Sequence, residues 1–352
     1  MRDPMTKNSQ QRVHDAIKHH PVDRVPVSGM GWFIGSRAAG LGTKEYATDG
    51  EKMAKGQLAF LEKTGIDLLH PMSDVGQMAS GWGTVMRYTE GLAPMLDDFA
   101  IREPEDWEKM QVLDPKKDGR MHVPIKAISL MRKKVGETVS MMPYVPSPLT
   151  STTHVRAMEN VLMDIILNPD ALKKGLETIT ETTIDYSDQI FDAGADGLLY
   201  APTRASAEIV TIDQYEEFGA VYDRKVLGSL KNHDGYNILH VCGVEPFFEM
   251  LSDYPNTGGI NWWDRGSNLK IAEAKAKWGK KVCLVAGMDQ TTTLMIGKME
   301  DISNEVKDTI DQGFGDGTGL IIAPGCEISP NTDFEKIKEM VRAAEKYGRK
   351  HK

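Results

Sequence analysis

The sequence predicts a closed (β/α)8 barrel with an N-terminal extension, on three observations. From about residue 126 onward, short apolar strands alternate with helical stretches in a regular series. Strands that are apolar throughout are buried on both faces and imply a parallel sheet. Seven or eight such strands favour a closed barrel over an open doubly wound sheet. No G-x-G-x-x-G follows the first strand and no G-x-x-x-x-G-K-[ST] occurs anywhere, so neither a dinucleotide fold nor a P-loop has support. The 352 residues would allow two domains at ~150 residues each, but one barrel with extensions fits them equally. We read residues 1–352 as one domain, with 1–65 the helical and irregular extension and 66–352 the barrel.

The extension opens with a helix over about 8–19, ended by the two prolines of PVDRVPVSG, which begins an extended segment. Residues 50–64 carry Met53, Leu58 and Leu61 at helical spacing and lead into the short strand GIDLLHP. Residues 81–125, with WGTVMRY, several prolines and DPKKDGR, read as irregular or hairpin structure decorating the main fold. The regular series starts with a helix at 126–136 and the strand TVSMMPYVP. A long helix from Pro169 to Ala193 follows, with Leu172, Leu176, Ile179, Ile190 and Phe191 on one face and Pro169 suited to its first turn. The strand GADGLLYAP, helix 212–231, strand NILHVC, helix 245–254 and strand TGGINWW continue it. Helix 268–278, strand KVCLVAG, helix 301–312, strand GLIIAPGC and a last helix at 333–347 complete it.

Composition narrows the function classes. The 40% apolar and 26% charged residues are those of a globular protein, which excludes wholesale disorder. A formal charge of −9 disfavours nucleic-acid and anionic-membrane partners, which are met by basic surfaces. The N-terminus MRDPMTKNSQQRVHDAIKHH lacks the apolar core of a signal peptide, and no stretch approaches the ~18 apolar residues of a membrane span. The terminal GRKHK reads as a solvated basic end. Three cysteines cannot build a disulfide framework in a chain this long, so a reducing cytoplasm is the expected compartment.

The chemistry lies in where those cysteines sit. NILHVC ends with His240 and Cys242, which as i and i+2 on an extended segment point to one side. Cys326 follows the strand GLIIAPGC, and in such a barrel the C-terminal strand ends converge on the functional face. One imidazole and two thiolates with a fourth position open to substrate is the donor set of a catalytic zinc site. The H-x-C pair alone is equally explained by a buried histidine beside a buried cysteine; placement of both halves at strand ends favours the metal. Cys283, mid-strand in KVCLVAG, reads as a small buried hydrophobe.

With these residues in place, the chain resembles the uroporphyrinogen decarboxylase superfamily, and within it the zinc-dependent, corrinoid-linked methyltransferases. The resemblance runs through RVHDAIKHHPVDRVPV, FLEKTGIDLL, IREPEDWEKM, LDPKKDGR and ILNPDALKKGLETITE. It continues in AGADGLLYAPTRASAEIVTIDQYEEFG, HVCG, LVAGMDQ and APGCEISPNTDFEKIKEMV. It implies a (β/α)8 barrel with zinc on His240, Cys242 and Cys326, and methyl transfer between methylcobalamin, carried by a separate corrinoid protein, and a small thiol, folate, amine or methyl ether. In the thiol-methylating members the acceptor thiol is activated at the metal's fourth position; in others the metal polarises a methyl donor. The decarboxylases proper carry an R-Q-A-G-R element with paired arginines. The matching WFIGSRAAGLGTKEY keeps Arg37, Ala39 and Gly40 but has Ala38 for the glutamine and Leu41 for the second arginine. A metal-free decarboxylase of porphyrinogen carboxylates is therefore the alternative, and a non-catalytic corrinoid- or metal-binding barrel a third reading.

Around the metal, Asp74 in HPMSDVG, Glu208 in RASAEIV and Asp289 in AGMDQ all follow strands and are the candidate catalytic residues. Each would serve as a fourth ligand, a proton acceptor or a partner of His240, against the plainer reading of a loop carboxylate facing water or capping a helix. His70, at another strand end, reads as a hydrogen-bonded structural residue. Of Trp262 and Trp263, which point to opposite faces, one should pack on a helix while the other lines the pocket or joins the core. The 20 methionines, Met141 and Met142 among them, read as gap fillers.

Overall fold

The computed structural model describes residues 7–230 and 236–349. The first six residues, residue 231 at the expected end of one helix, and residues 350–352 of the basic tail lie outside the described residues. Strands Tyr144–Pro146, Leu199–Ala201, Asn237–His240, Thr257–Asn261, Cys283–Met288 and Leu320–Pro324 form one parallel sheet in chain order. Leu68–Leu69 pairs in parallel with Ser140–Met141, which runs on through Pro143 into Tyr144–Pro146. Single parallel bridges, Val27 to Ile322 and Ser28 to Leu68, then join the two ends of the ring. The Ser28 N–H donates to the Ile322 carbonyl (2.8 Å) and the Ile322 N–H to that of Pro26 (2.9 Å).

Two features correct the expected boundaries. The strand at residues 26–28 belongs to the barrel ring, inside the stretch read as an extension; its prolines and brevity leave too few apolar residues to register as a strand. Between strand 144–146 and the helix Pro169–Asp192 lie two unanticipated helices, Pro148–Arg156 and Met158–Leu167. Every residue of the first is buried, so no amphipathic stripe marks it, and its threonines are weak helix formers. The insertion at 81–125 is the expected hairpin, Val85–Arg87 against Met95–Asp98. Among the described residues no helix is long and apolar enough to cross a membrane.

The helix expected at 212–231 carries a π-helical turn at Glu216–Ala220, between Ile212–Tyr215 and Val221–Ser229. Beside that turn the buried Asp223 accepts hydrogen bonds from the hydroxyls of Tyr200 (2.7 Å), Tyr215 (2.5 Å) and Tyr254 (3.3 Å). Burial pushes its carboxyl up to about 6, although the three phenols pull the other way. A raised carboxyl pKa means the folded state prefers the protonated form. Its contribution is fully present below the unfolded value near ~3.9 and is lost as pH rises through about 6, a change on the order of 3 kcal/mol. Unfolding free energies of wild type and Asp223→Asn, compared between pH 4 and 7, should diverge by that amount, the wild type losing ground as pH rises. A difference independent of pH would refute it.

Candidate metal centre

His240 ends its strand, and Cys242 and Cys326 each lie two residues beyond a strand end, so all three project from the C-terminal face of the barrel. His240 is buried, the two cysteines half-buried. The Sγ of Cys242 lies 3.2 Å and that of Cys326 3.8 Å from His240 Nε2, and one ligand atom from each residue falls within 4.8 Å of the others.

His240 is oriented from behind by a residue that the sequence reading passed over. In the strand register His240 stands opposite Asn261, whose Oδ1 lies 2.6 Å from His240 Nδ1. The Asn261 amide nitrogen already donates to the carbonyls of Val285 (2.7 Å) and Pro324 (2.9 Å), so its oxygen must face the histidine as an acceptor. The proton therefore sits on Nδ1 and the Nε2 lone pair faces the two thiols, as metal ligation requires.

The two ligand loops depend on glycine. Gly243 follows Cys242 at φ +92°, and a Cβ there would stand 2.4 Å from a carboxylate oxygen of Glu208. That oxygen accepts the Val244 N–H at 2.6 Å, so Glu208 braces the loop carrying Cys242. Gly325, before Cys326, lies so close to Trp263 that a Cβ would meet its Cα at 2.4 Å.

The thiols are unequal. Cys242 is held below the ordinary thiol range by its hydrogen bond with Cys326, burial opposing and the charge of Arg204 assisting. Cys326 is held far above it by that same bond, by burial and by the charge next door. Burial pulls His240 down, but its hydrogen bond to Cys326 leads the effects that outweigh it and raise it. A divalent cation resolves this crowding, since two thiolates offset its charge while a neutral imidazole completes the set. The donor chemistry fits zinc.

Of the three candidate carboxylates, none joins the ligand group among the described residues. Asp74 is buried and committed to Arg120, both oxygens at 2.8 Å, and to the Tyr88 hydroxyl at 2.8 Å, so it ties the segment after strand Leu68–Leu69 to the 81–125 insertion. Asp289 accepts from the backbone N–H and hydroxyl of Thr291 and of Thr292 at 2.6–3.2 Å, closing its own turn, while the N-cap of the short helix Thr293–Ile296 is Thr292 and not Asp289. Glu208 alone approaches, as the loop brace.

His70 is the structural residue expected. Its Nδ1–H donates to the Met142 carbonyl (2.7 Å) and its Nε2 accepts from Ser28 (2.8 Å), and burial lowers its pKa to about 4. Trp262 is core, edge-on to Phe248 at 5.0 Å, while half-buried Trp263 lies against Gly325 beside Cys326. Cys283, Met141 and Met142 are fully buried.

Three further residues surround the cluster unannounced. Trp32 stands edge-on to Tyr144 (5.2 Å between centroids) and to His240 (6.3 Å). It is delivered by the turn Gly29-Met30-Gly31, where Met30 holds an uncommon φ of +42° and a Cβ on Gly31 would meet Phe60 at 2.5 Å. Arg204, after strand Leu199–Ala201, places its charge near both Cys242 and Tyr144. Only the G-M-G-W run behind the first strand could have pointed to Trp32; nothing local marks Tyr144 or Arg204.

Against known proteins, the model for the family "Uroporphyrinogen decarboxylase (URO-D)" matches residues 8–347. The chain belongs to the uroporphyrinogen decarboxylase family. Within it, the chain is similar to a methylcobamide:CoM methyltransferase of Methanosarcina barkeri, 26% identical over 96% of this chain and 97% of that one. It is also similar to a uroporphyrinogen decarboxylase of Pseudomonas putida, again 26% identical over 96% and 97%. Among solved structures it resembles a methyltransferase from Methanosarcina mazei, with a TM-score of 0.87 and 25% identity over 97% and 99% of the two chains. In this chain Arg37 donates to the Thr332 carbonyl and stacks 4.3 Å over Phe334.

Proposed function

We propose that this protein is a zinc-dependent methyltransferase that moves a methyl group between a corrinoid carried by a partner protein and a small substrate bound beside the metal. The observation carrying the proposal is the convergence of one imidazole and two thiols at the C-terminal barrel face. The similarity to a methylcobamide:CoM methyltransferase along nearly the whole chain supports it. His240, Cys242 and Cys326 would hold the zinc. When bound, zinc supplies Lewis acidity, which turns a thiol of ordinary pKa ~8.5 into a thiolate at neutral pH.

The chain's own residues prepare that site. Asn261 keeps the His240 proton on Nδ1, away from the metal position. Glu208 and Gly243 set the course of the loop carrying Cys242. Trp32 and Trp263 wall the cluster with aromatic surface.

The test combines zinc analysis with methyl exchange from free methylcobalamin. The expected result is about one zinc per chain and demethylation of methylcobalamin by a small thiol that stops on chelation. Well under one zinc, with no methyl exchange to any thiol, would favour the metal-free decarboxylase reading. Zinc binding with no methyl exchange across thiols and methyl ethers would favour the non-catalytic one. Asn261→Ala should weaken zinc binding about 10- to 100-fold, the usual effect of removing an orienting partner. Competition against a chromophoric chelator measures this, and unchanged affinity would remove Asn261 from the site.

A further inference from the structure

We propose that the chain pairs with a second copy of itself through the side wall of the barrel, where an acidic strip on helix Pro169–Asp192 lies beside a basic strip on helix His122–Val135. Both helices belong to the outer ring and lead into barrel strands, at Leu199 and Ser140. The face is not the one that carries the metal ligands, and the proposal does not depend on the reaction.

Glu177, Glu181, Asp185, Asp188 and Asp192 stand at i, i+4, i+8, i+11 and i+15 of one helix, a spacing that lines them along a single face. None of the five has an ion-pair partner among the described residues. Burial, and then the charges of Asp188, Glu181 and Asp114, push the Asp185 carboxyl up. Like charges four residues apart weaken a helix, and the single chain leaves that repulsion unrelieved.

On the neighbouring helix His122, Lys126 and Lys133 stand at i, i+4 and i+11, again one face. With Lys116 they line a groove of about 330 Å³. Lys116 and Lys133 have no ion pair among the described residues. Lys126 meets Glu51 at 2.8 Å, an exposed contact worth little. The segment 112–116 runs between the strips: Lys116 lines both the basic groove and one of about 500 Å³ that includes Asp185 and Asp188. Asp114 on that segment is already paired with Lys117 at 2.9 Å. Arg132 fixes the spacing of the two helices, donating to the Gly194 carbonyl (2.9 Å) and to Asp196 (2.7 Å) just beyond the acidic one.

Two strips of opposite sign on one face are self-complementary. A two-fold axis lying in the interface, along the boundary between them, sets each acidic strip over the basic strip of the other copy and makes every pairing twice. An axis at right angles to the strips would set acid on acid, so the charges fix the orientation. A partner of one sign would match only half of the face. Val112, 42% exposed on the segment between the strips, and the half-buried Leu130 and Ile184 on the flanking helices supply apolar contact near the axis.

Size sets the strength. Two helices ~10 Å across, side by side along ~20 Å, cover less than the ~800 Å² per partner of a standard interface. The pair is therefore a weak one, with a dissociation constant on the order of 10 µM. Its salt dependence is specific: at about 100 mM salt the Debye length of ~10 Å screens the overall charge of −9 but not charges in contact, whereas about 1 M screens both.

Sedimentation velocity of the full chain tests this, from about 2 to 200 µM in each salt. In the lower salt the upper end of that range should show the mass of two chains, and the higher salt should weaken association about tenfold or more. Asp185→Lys with Asp188→Lys, and separately Lys126→Glu with Lys133→Glu, should each sediment as a monomer. Mixed in equal amounts, the two double variants should regain the dimer, because reversed charges then meet reversed charges and native ones native. That rescue separates pairing from a folding defect. Wild type that stays monomeric throughout the range overturns the proposal, as does a dimer that either double variant keeps. Variants that stay monomeric when mixed overturn the acid-on-base pairing, and species larger than a dimer overturn the two-fold.

Discussion

Cys326→Ser is expected to remove zinc and methyl transfer together. Two of the three proposed ligands come from one strand end, His240 and Cys242, and the third from a strand whose only link to them is the barrel itself. A two-ligand remnant leaves the ion with solvent in two positions, and the serine hydroxyl is a poor substitute for a thiolate at neutral pH. The loss of zinc affinity should exceed the ~10- to 100-fold expected for Asn261→Ala, because a ligand is lost, not merely its orientation. Metal content by mass spectrometry and methylcobalamin demethylation should fall in parallel. Cys283→Ala is the matched control: Cys283 is fully buried with its thiol pushed up by burial, and its loss should leave zinc stoichiometry intact. Cys326→Ser protein that retained a full equivalent of zinc and normal turnover would dismantle the assignment.

The second large effect is on stability and lies at the opposite end of the barrel. Asp67, buried just before strand Leu68–Leu69, accepts from Arg12 Nη1 at 2.7 Å and from Arg24 at 2.7 and 3.1 Å. It also accepts from the Val27 N–H at 2.9 Å and from Ser9 at 2.8 Å. One carboxylate therefore ties the helix Ser9–Ile17 and the ring strand at 26–28 to the next strand. Asp67→Ala removes one of the two carboxylates that hold Arg12, leaving Asp23, leaves Arg24 with only Glu345 at 3.9 Å, and orphans a backbone N–H. Breaking a buried pair from one side costs about 3–5 kcal/mol. The midpoint of urea unfolding should drop accordingly, while zinc content and methyl transfer at low temperature persist, since the C-terminal barrel face is untouched. A midpoint within experimental error of wild type would show that the cluster contributes nothing net.

The strand ends carrying His240, Cys242 and Cys326 were legible because apolar runs bounded by helices locate strands, and barrel strand ends share a face. The helices at 50–64 and 169–192 were equally plain from their periodicity and from Pro169. The strand at 26–28 and the helix Pro148–Arg156 were not. The first is two bridges long, and the second is buried on every side, so neither carries the alternation that separates inside from outside.

Asp74, Glu208 and Asp289 show how far strand-end logic reaches. Each does follow a strand, but hydrogen bonding decides its work: Asp74 pairs with Arg120, Asp289 closes its own turn, and Glu208 braces the ligand loop. Local sequence thus determined the barrel class and marked His240, Cys242 and Cys326 as the proposed ligands, since both are written in short-range patterns of burial and donor type. Only the folded chain decided which side chains surround the ligands. Asn261, Trp32, Tyr144 and Arg204 come from four different strand ends and turns, brought together by register and ring closure. Contacts between residues so distant in sequence leave no local period to read, because they are set by which strands pair and which charges the packed interior leaves unmatched.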